Sequence, residues 1–129
     1  MNCKLRRSAL DAILQHAERA NPRECCGVLV GRQDEILQAV EARNLADDPN
    51  RYFLDPEDHI AIRRRARAAG LSVVGFYHSH PHSPARPSAT DRAEAAYPDY
   101  LYLIVATGEV RLFRLSDGNF VETPFVTVS

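Results

Sequence analysis

The sequence lacks the features that mark several large classes of protein. It has no tryptophan, one methionine and three cysteines, and its 16 basic and 17 acidic residues leave a formal net charge of −1. Such a balance argues against a dedicated nucleic-acid-binding protein, which usually carries a basic excess. The longest apolar run, 101–106, is far shorter than the roughly 20 residues that span a bilayer, and no apolar segment typical of a secretory signal is present. We therefore expect neither a nucleic-acid partner nor a membrane partner.

The few cysteines do not form a disulfide pattern. Cys25 and Cys26 are adjacent, and Cys3 stands alone near the N-terminus. Adjacent cysteines very rarely bond to each other, so the sequence favours a reducing compartment, the cytoplasm. Thiol catalysis is disfavoured, because no cysteine–histidine pairing is visible in the spacing and a buried strand is where inert cysteines usually lie.

The remaining composition is typical of an ordinary globular domain. The chain has 129 residues, of which 45% are hydrophobic and 26% are charged. A chain of this length buries roughly two-thirds of its unfolded surface, which is enough for one core. We therefore expect a single domain over residues 1–129. The feature that needs an explanation is histidine, because three of the five histidines lie between residues 78 and 82.

Two capping-box patterns predict the starts of helices. Ser8 is followed three residues later by Asp11, and Ser88 by Asp91, so in each case the serine side chain would cap the helix while the acid reaches back. An apolar stripe at helical spacing follows Ser8, and the Asn–Pro pair at 21–22 ends this first helix. The helix that begins after Ser88 is expected to be short.

A further helix is predicted between these two. Asp55 and Pro56 supply an N-cap and a first-turn proline, and Gly70 stands where a glycine commonly ends a helix. The helix dipole favours positive charge in the final turns, where four arginines fall: Arg63, Arg64, Arg65 and Arg67. We therefore interpret this basic run as a helix terminus rather than a nucleic-acid-binding patch.

The other apolar segments predict β-strands, because they are short, rich in β-branched residues and bounded by turn-forming residues. Their order predicts an α/β protein of the α+β type, in which a single mixed, largely antiparallel sheet is flanked by helices. The predicted strands are 26–31, 36–45, a short 52–54, 71–77, 100–106, 110–115 and 120–128, the last interrupted by Pro124.

The strand ending at residue 77 leads directly into His78 and His80. Side chains at i and i+2 of an extended chain point to the same face, so both imidazoles can bind one metal ion. Asp91, at a helix start, can fold back as a third ligand. Two nitrogens and one oxygen leave one position open on tetrahedral zinc, as in catalytic sites. By itself the His-x-His pair is a weak signal, shared with cupins and several metallohydrolases, and Asp91 could be only a capping acid.

Five residues together resemble the JAMM motif, also called MPN+, of zinc-dependent isopeptidases and peptidases that act on ubiquitin-like proteins. These residues are Glu24 before a strand, the pair His78 and His80, and Ser88 and Asp91 at a helix start. The local sequence is also similar over 22–31, 75–81 and 87–91. The resemblance extends from about residue 8 to residue 115 and includes every motif position. It implies the MPN/JAMM fold, whose architecture resembles that of cytidine deaminases.

The resemblance implies a role for each motif residue. His78, His80 and Asp91 would bind one Zn²⁺ per chain, and zinc lowers the pKa of a bound water to about 7. Glu24 would accept the proton of this water and deliver it to the leaving amine. Ser88 would donate a hydrogen bond to the developing oxyanion.

The resemblance also implies a substrate. Few residues follow the motif beyond those of the predicted strands, so the chain is similar to the compact prokaryotic branch of the family rather than to members with linkage-selecting insertions. That branch acts on ubiquitin-like sulfur-carrier proteins, and the implied reaction is hydrolysis of the amide bond after a C-terminal Gly-Gly. Release of cysteine from a carrier adduct, reversal of conjugation to lysine and processing of a precursor all stay open, as does a homodimer.

The alternative function is that of a non-catalytic MPN scaffold that binds ubiquitin-like partners. A scaffold has no need of all five motif residues, so the sequence favours the enzyme. Three histidines lie outside the motif. We expect His16 and His59 to be packed or solvated on helices, and His82 to lie at the rim of the site, because Pro81 breaks the alternation that would align it.

Overall fold

The computed structural model describes residues 2–129. Its helices and strands are, in chain order, β1 (Cys3–Arg6), α1 (Arg7–Ala20), β2 (Cys26–Arg32), β3 (Glu35–Ala42), α2 (Pro56–Ala68), β4 (Ser72–His80), α3 (Ala89–Glu94), β5 (Leu101–Ala106), β6 (Glu109–Ser116), β7 (Asn119–Glu122) and β8 (Phe125–Val128). Within residues 2–129, no helix combines the length and the apolar character needed to cross a bilayer.

All eight strands belong to one sheet, in the order β7-β6-β5-β4-β2-β3-β1-β8. The pairs β1–β3, β1–β8 and β4–β5 are parallel, and the other four neighbouring pairs are antiparallel. The mixed, largely antiparallel sheet flanked by helices is therefore confirmed. β4 lies near the middle of the sheet, between β2 and β5.

The sheet curls so strongly that its two edges approach each other. β7 and β8 form opposite edges, yet only Thr123 and Pro124 separate them in the chain. The three Cα–Cα steps across this link span roughly 11 Å at most, so the edges have to lie that close. Across the gap, a guanidinium nitrogen of Arg114 on β6 lies 2.8 Å from the carboxylate of Asp34, which precedes β3.

The two faces of the sheet carry separate cores. Successive residues of a strand point to opposite faces, so Leu29 of β2 packs with Ile13 of α1 on one face. Val28 and Val30 pack with Ile62 of α2 on the other face. α1 and α2 thus cover opposite faces, and the central strands between them are buried on both sides.

Two of the three predicted helix starts are confirmed. The carboxylate of Asp55 accepts a hydrogen bond from the backbone of Glu57, and Pro56 begins α2. Gly70 follows that helix with a φ of 75°. The predicted capping box of Ser88 and Asp91 is present in full.

The predicted capping box at Ser8 is wrong. α1 begins at Arg7, and Arg6 in the N-cap position makes no side-chain hydrogen bond. The reason is β1, which was not predicted and leads directly into the helix, so Ser8 already lies within its first turn. A strand of four residues is too short to stand out in the sequence.

One strand prediction is also wrong, whereas the predicted interruption of the last segment at Pro124 is confirmed. The segment 52–54 does not form a strand, and only Leu54 makes an isolated bridge, to Asn44. The segment 120–128 divides at Pro124 into β7, which pairs with β6, and β8, which pairs with β1. Pairing between the first and last strands involves residues too far apart in the chain for local pattern to reveal.

Gly27 of β2, which lies opposite Tyr77 of β4, offers a test of packing beside the strand that carries the two histidines. A Cβ atom at Gly27 would overlap the ring of Tyr77, which is 1% exposed and held by a 2.6 Å hydrogen bond to Nδ1 of His16. Gly27→Ala is therefore expected to lower the free energy of unfolding by about 1–3 kcal/mol, as overpacking usually does. Urea denaturation measures this change. In a Tyr77→Leu background the same substitution should cost clearly less, and an equal cost would show that the ring is not the cause.

Candidate metal centre

β4 brings His78 and His80 to the same face at its C-terminal end. The two residues are 2% and 3% exposed. β4 is fixed by antiparallel pairing with β2, which places Cys26 opposite His78, and by parallel pairing with β5. Ser79 points to the opposite face, where its Oγ accepts a hydrogen bond from the backbone of Cys25. The alternation inferred from the sequence is thus present.

The first turn of α3 brings Asp91 to the two histidines. Its Oδ2 atom lies 3.1 Å from Nε2 of His78 and 3.1 Å from Nε2 of His80. The capping box holds this oxygen in place, because the backbone N–H of Ser88 donates to the same Oδ2 at 2.9 Å. In return, the backbone N–H of Asp91 donates to Oγ of Ser88 at 3.0 Å. The capping box therefore both caps α3 and places the candidate ligand, through two separate hydrogen bonds.

The donor set fits a divalent metal ion. The two Nε2 atoms are 3.0 Å apart, so with Oδ2 of Asp91 they form a nearly equilateral triangle. Zinc–ligand bonds of 2.0–2.2 Å at tetrahedral angles separate ligand atoms by about 3.3 Å, close to these separations. Two nitrogens and a carboxylate oxygen are ligands that zinc accepts, and a triangle of three leaves a fourth position open.

Glu24 lies beside this triangle. One of its carboxylate oxygens and ring nitrogens of His78 and His80 all lie within 4.8 Å of one another. The segment that follows β3 holds Glu24 through hydrogen bonds to both its backbone N–H and its carbonyl. The N–H of Glu24 donates to the carbonyl oxygen of Pro49 at 3.0 Å, and its carbonyl accepts from Nδ2 of Asn44 at 3.0 Å. The side chain is free of hydrogen bonds to the described residues and can serve as an acid or base.

The charges of the site are strongly interdependent. Burial raises the pKa of Glu24 to about 7, and the negative charges of Asp91 and Asp48 act in the same direction, while His80 opposes them. Burial also acts to raise the pKa of Asp91, but the hydrogen bonds from His78 and His80 outweigh it and hold that pKa well below its usual range. Asp91 is thus ionised at neutral pH, and Glu24 is poised for proton transfer near pH 7.

Ser88 lies at the open side of the site. The residue is exposed, and its Oγ serves as the acceptor of the helix cap. A hydroxyl accepts and donates at the same time, so the O–H remains available to a group outside the helix. The structure therefore brings Glu24, His78, His80 and Asp91 together, with Ser88 beside them.

The residues judged inactive from the sequence lie apart from the cluster or are chemically inert. His82 is exposed, and His59 contacts the guanidinium of Arg63 at 3.0 Å. The thiols of Cys25 and Cys26 are free and buried. Burial raises the pKa of the Cys25 thiol to about 11 and that of Cys26 to about 12. A thiolate nucleophile is therefore disfavoured at neutral pH.

Sequence reasoning missed two residues that contact residues of the site. The side chain of Asn44 makes four hydrogen bonds, to backbone groups of Glu24, Ala46, Arg51 and Phe53. The ring of Tyr52 stacks on that of His78, with centroids 4.5 Å apart and an interplanar angle of 25°. Neither residue belongs to a motif, and no signal in the sequence connects either to the histidines.

Comparison with known families agrees with this geometry. Residues 6–116 match the family model described as prokaryotic homologs of the JAB domain. The chain belongs to this family. The match includes every residue of the candidate metal centre, and the expected membership of the JAMM/MPN family in its compact prokaryotic form is confirmed.

Among related proteins, this JAB-domain chain is 46% identical over 103 residues to a desampylase of Haloferax volcanii, an alignment that covers 74% of each chain. It is 34% identical over 127 residues to the CysO-cysteine peptidase of Mycobacterium tuberculosis, covering 93% of this chain and 87% of the relative.

Two solved structures show the same fold. Protein DSY2949 from Desulfitobacterium hafniense superposes with a TM-score of 0.89 at 29% identity, over 98% of this chain and 93% of that one. A structure described as the JAMM metalloprotease-like zinc site of the proteasome and signalosome superposes with a TM-score of 0.61 at 22% identity, over 100% of both chains. The MPN/JAMM fold expected from the motif is thereby confirmed.

Proposed function

We propose that this chain is a zinc-dependent peptidase or isopeptidase that hydrolyses the amide bond after the C-terminal Gly-Gly of a ubiquitin-like or sulfur-carrier protein. The observation that carries the proposal is the convergence of Nε2 of His78, Nε2 of His80 and Oδ2 of Asp91 at 3.0–3.1 Å, with the buried carboxylate of Glu24 beside them. The activities named for the two relatives, a desampylase and a peptidase, support the same reaction class.

His78, His80 and Asp91 would hold one zinc ion per chain. When bound there, zinc would act as a Lewis acid and lower the pKa of a bound water to about 7. The chain's own contribution is to fix the three ligand atoms before the metal arrives. β4 sets the two histidines and the capping box of α3 sets Asp91, so little rearrangement is needed on binding.

Glu24 would move the proton during the reaction. Its carboxylate accepts a proton from the attacking water and then gives a proton to the nitrogen of the bond being cleaved. That nitrogen therefore leaves as a neutral amine and not as an unstable anion. The burial that raises its pKa to about 7 suits both steps at neutral pH. Ser88 would donate its O–H to the oxygen of the substrate carbonyl as negative charge develops there.

The scaffold alternative is disfavoured by the unfavourable free energy of burying the ionisable side chains of the metal centre. Burying an aspartate and two histidines with Glu24 next to them opposes folding unless the charges are matched. A protein that only binds partners could replace these residues with apolar ones. The complete arrangement is therefore better explained by catalysis than by binding alone.

The test combines metal analysis with a cleavage assay. The purified protein is expected to contain zinc in near-equimolar amount and to cleave a carrier fusion that ends Gly-Gly-X at the bond after the second glycine, as read by mass spectrometry. A chelator should abolish cleavage and added zinc should restore it. If the purified wild-type protein contained no zinc and a chelator left its function unchanged, the scaffold function would be favoured instead.

The same assay separates the candidate substrates. One fusion carries cysteine joined through its α-amino group to the carrier's C-terminus, and the other carries the carrier joined to a lysine side chain of a protein. Preference for the first would indicate release of cysteine, and preference for the second would indicate deconjugation. The relatives point to both reactions, since one is named a CysO-cysteine peptidase and the other a desampylase. We place this activity in the cytoplasm, where the free cysteines would stay reduced.

A further inference from the structure

The two histidines of the metal centre are held in different ways. Nδ1 of His80 lies 2.8 Å from the carbonyl oxygen of Pro84, a contact that leaves Nε2 to face the other ligand atoms. Metal-binding histidines are nearly always oriented by such a partner on the second ring nitrogen. For His78, hydrogen bonds within residues 2–129 reach only Nε2. Its ring therefore needs another means of orientation.

The ring of Tyr52 covers one face of His78. The centroids are 4.5 Å apart and the planes are inclined by only 25°, which is a stacked arrangement. The terminal torsion of a histidine side chain is broad and has no sharp minimum of its own. A flat ring packed against the imidazole face restricts the range of that torsion, because rotation of the imidazole would bring its edge into steric clash with the tyrosine ring.

Tyr52 can serve this purpose because its own backbone is fixed. The carbonyl of Arg51 accepts a hydrogen bond from Nδ2 of Asn44 at 3.0 Å, and the N–H of Phe53 donates to Oδ1 of Asn44 at 2.9 Å. The peptide groups on both sides of Tyr52 are thus bound to one side chain. An ion pair of Arg51 with Glu94 at 3.3 Å also joins this loop to α3, which carries Asp91.

We propose that Tyr52 is a positioning residue of the metal site, whose ring holds the imidazole of His78 at the angle where its Nε2 meets Nε2 of His80 and Oδ2 of Asp91. The carbonyl of Pro84 does the same for His80 through a hydrogen bond. The inference rests on the proposed function, because it concerns affinity for the metal ion of that site. Residues that orient metal ligands usually change metal affinity about 10- to 100-fold when they are replaced.

The experiment measures zinc affinity by competition with a chromophoric chelator. Tyr52→Phe keeps the ring and should retain the wild-type affinity. Tyr52→Leu keeps an apolar side chain without a flat face and should bind zinc about 10- to 100-fold more weakly. In cobalt-substituted protein, the visible absorption bands report ligand geometry. They should be the same for the wild type and Tyr52→Phe, and altered for Tyr52→Leu.

Phe53→Leu is the matched control, because it replaces the neighbouring aromatic ring, which is 56% exposed, and it should bind zinc as the wild type does. Thermal unfolding of the metal-free variants identifies a general loss of stability. Equal zinc affinity of Tyr52→Leu and the wild type would overturn the inference and leave the proposed function intact. A loss equally large in Tyr52→Phe would also overturn it, because the ring would then not be what matters. Failure of the wild type to bind zinc would overturn the proposed function itself.

Discussion

Replacing Glu24 by glutamine is expected to lower kcat about 100- to 10,000-fold, which is the usual contribution of a general acid–base group. The amide has nearly the shape of the carboxylate but cannot accept and return a proton at neutral pH. Because Glu24 lies outside the triangle formed by His78, His80 and Asp91, the variant should still bind zinc. Steady-state kinetics on a Gly-Gly-X fusion, with zinc analysis of the same sample, measures both properties.

The loss of rate should occur without loss of stability. Burial raises the pKa of Glu24 from its ordinary 4.5 to about 7, so ionisation of this group opposes folding as the pH rises above 4.5. Glutamine removes that opposition, so in the metal-free protein Glu24→Gln should unfold at the same or a higher urea concentration at pH 8. Glu57→Gln, the same change at an exposed position on α2, should leave the rate unchanged. Near-wild-type turnover by Glu24→Gln would show that Glu24 is not the general base. Loss of zinc from the variant would show instead that Glu24 is a metal ligand.

Replacing Ser88 by alanine is expected to lower kcat about 100- to 1,000-fold, as the loss of one oxyanion donor does. Ser88 has a second role, because its Oγ also caps α3 by accepting a hydrogen bond from the N–H of Asp91. Loss of a cap costs about 0.5–2 kcal/mol with alanine but only a few tenths with glycine. The two roles can therefore be measured separately.

Ser88→Gly and Ser88→Thr complete the comparison. Glycine lacks the hydroxyl but tolerates the N-cap position, so its rate should fall as far as that of Ser88→Ala while its stability stays closer to the wild type. Threonine keeps the hydroxyl and should keep most of the rate. Zinc content should be the same in all three, because the backbone N–H of Ser88 holds Oδ2 of Asp91 whichever side chain is present. If kcat fell across the three variants only in proportion to their loss of stability, Ser88 would have a capping role and no role in catalysis.

The parts of this protein that could be predicted from its sequence are those specified by nearby residues. The capping boxes are patterns of four residues, and the one at Ser88 is present as predicted. The alternation that aligns His78 with His80 follows from strand geometry alone. Local pattern was therefore sufficient to assign the motif residues to the end of a strand and the start of a helix.

What could not be predicted depends on contacts between distant parts of the chain. The pairing of β8 with β1 brings together residues more than 100 positions apart, and β1 leads directly into α1, which displaces the start of the helix from Ser8. Asn44 lies within a segment predicted as strand, and its role depends on backbone groups up to 20 residues away. The short strand predicted around Tyr52 is absent, and the stacking of Tyr52 on His78 joins two residues 26 positions apart in the chain.

The side chain of Asn44 has a consequence for how this protein tolerates mutation. All four of its hydrogen-bonding partners are backbone groups, so a side-chain change at any of these partners leaves the hydrogen bonds in place, whereas a change at Asn44 removes them. Even aspartate, which has the same shape, lacks both donors and would release the carbonyls of Glu24 and Arg51. In a saturation-mutagenesis screen, distance from the cleaved bond would therefore be a poor guide to sensitivity. Asn44, a half-buried amide with no part in the chemistry, would rank beside the metal ligands.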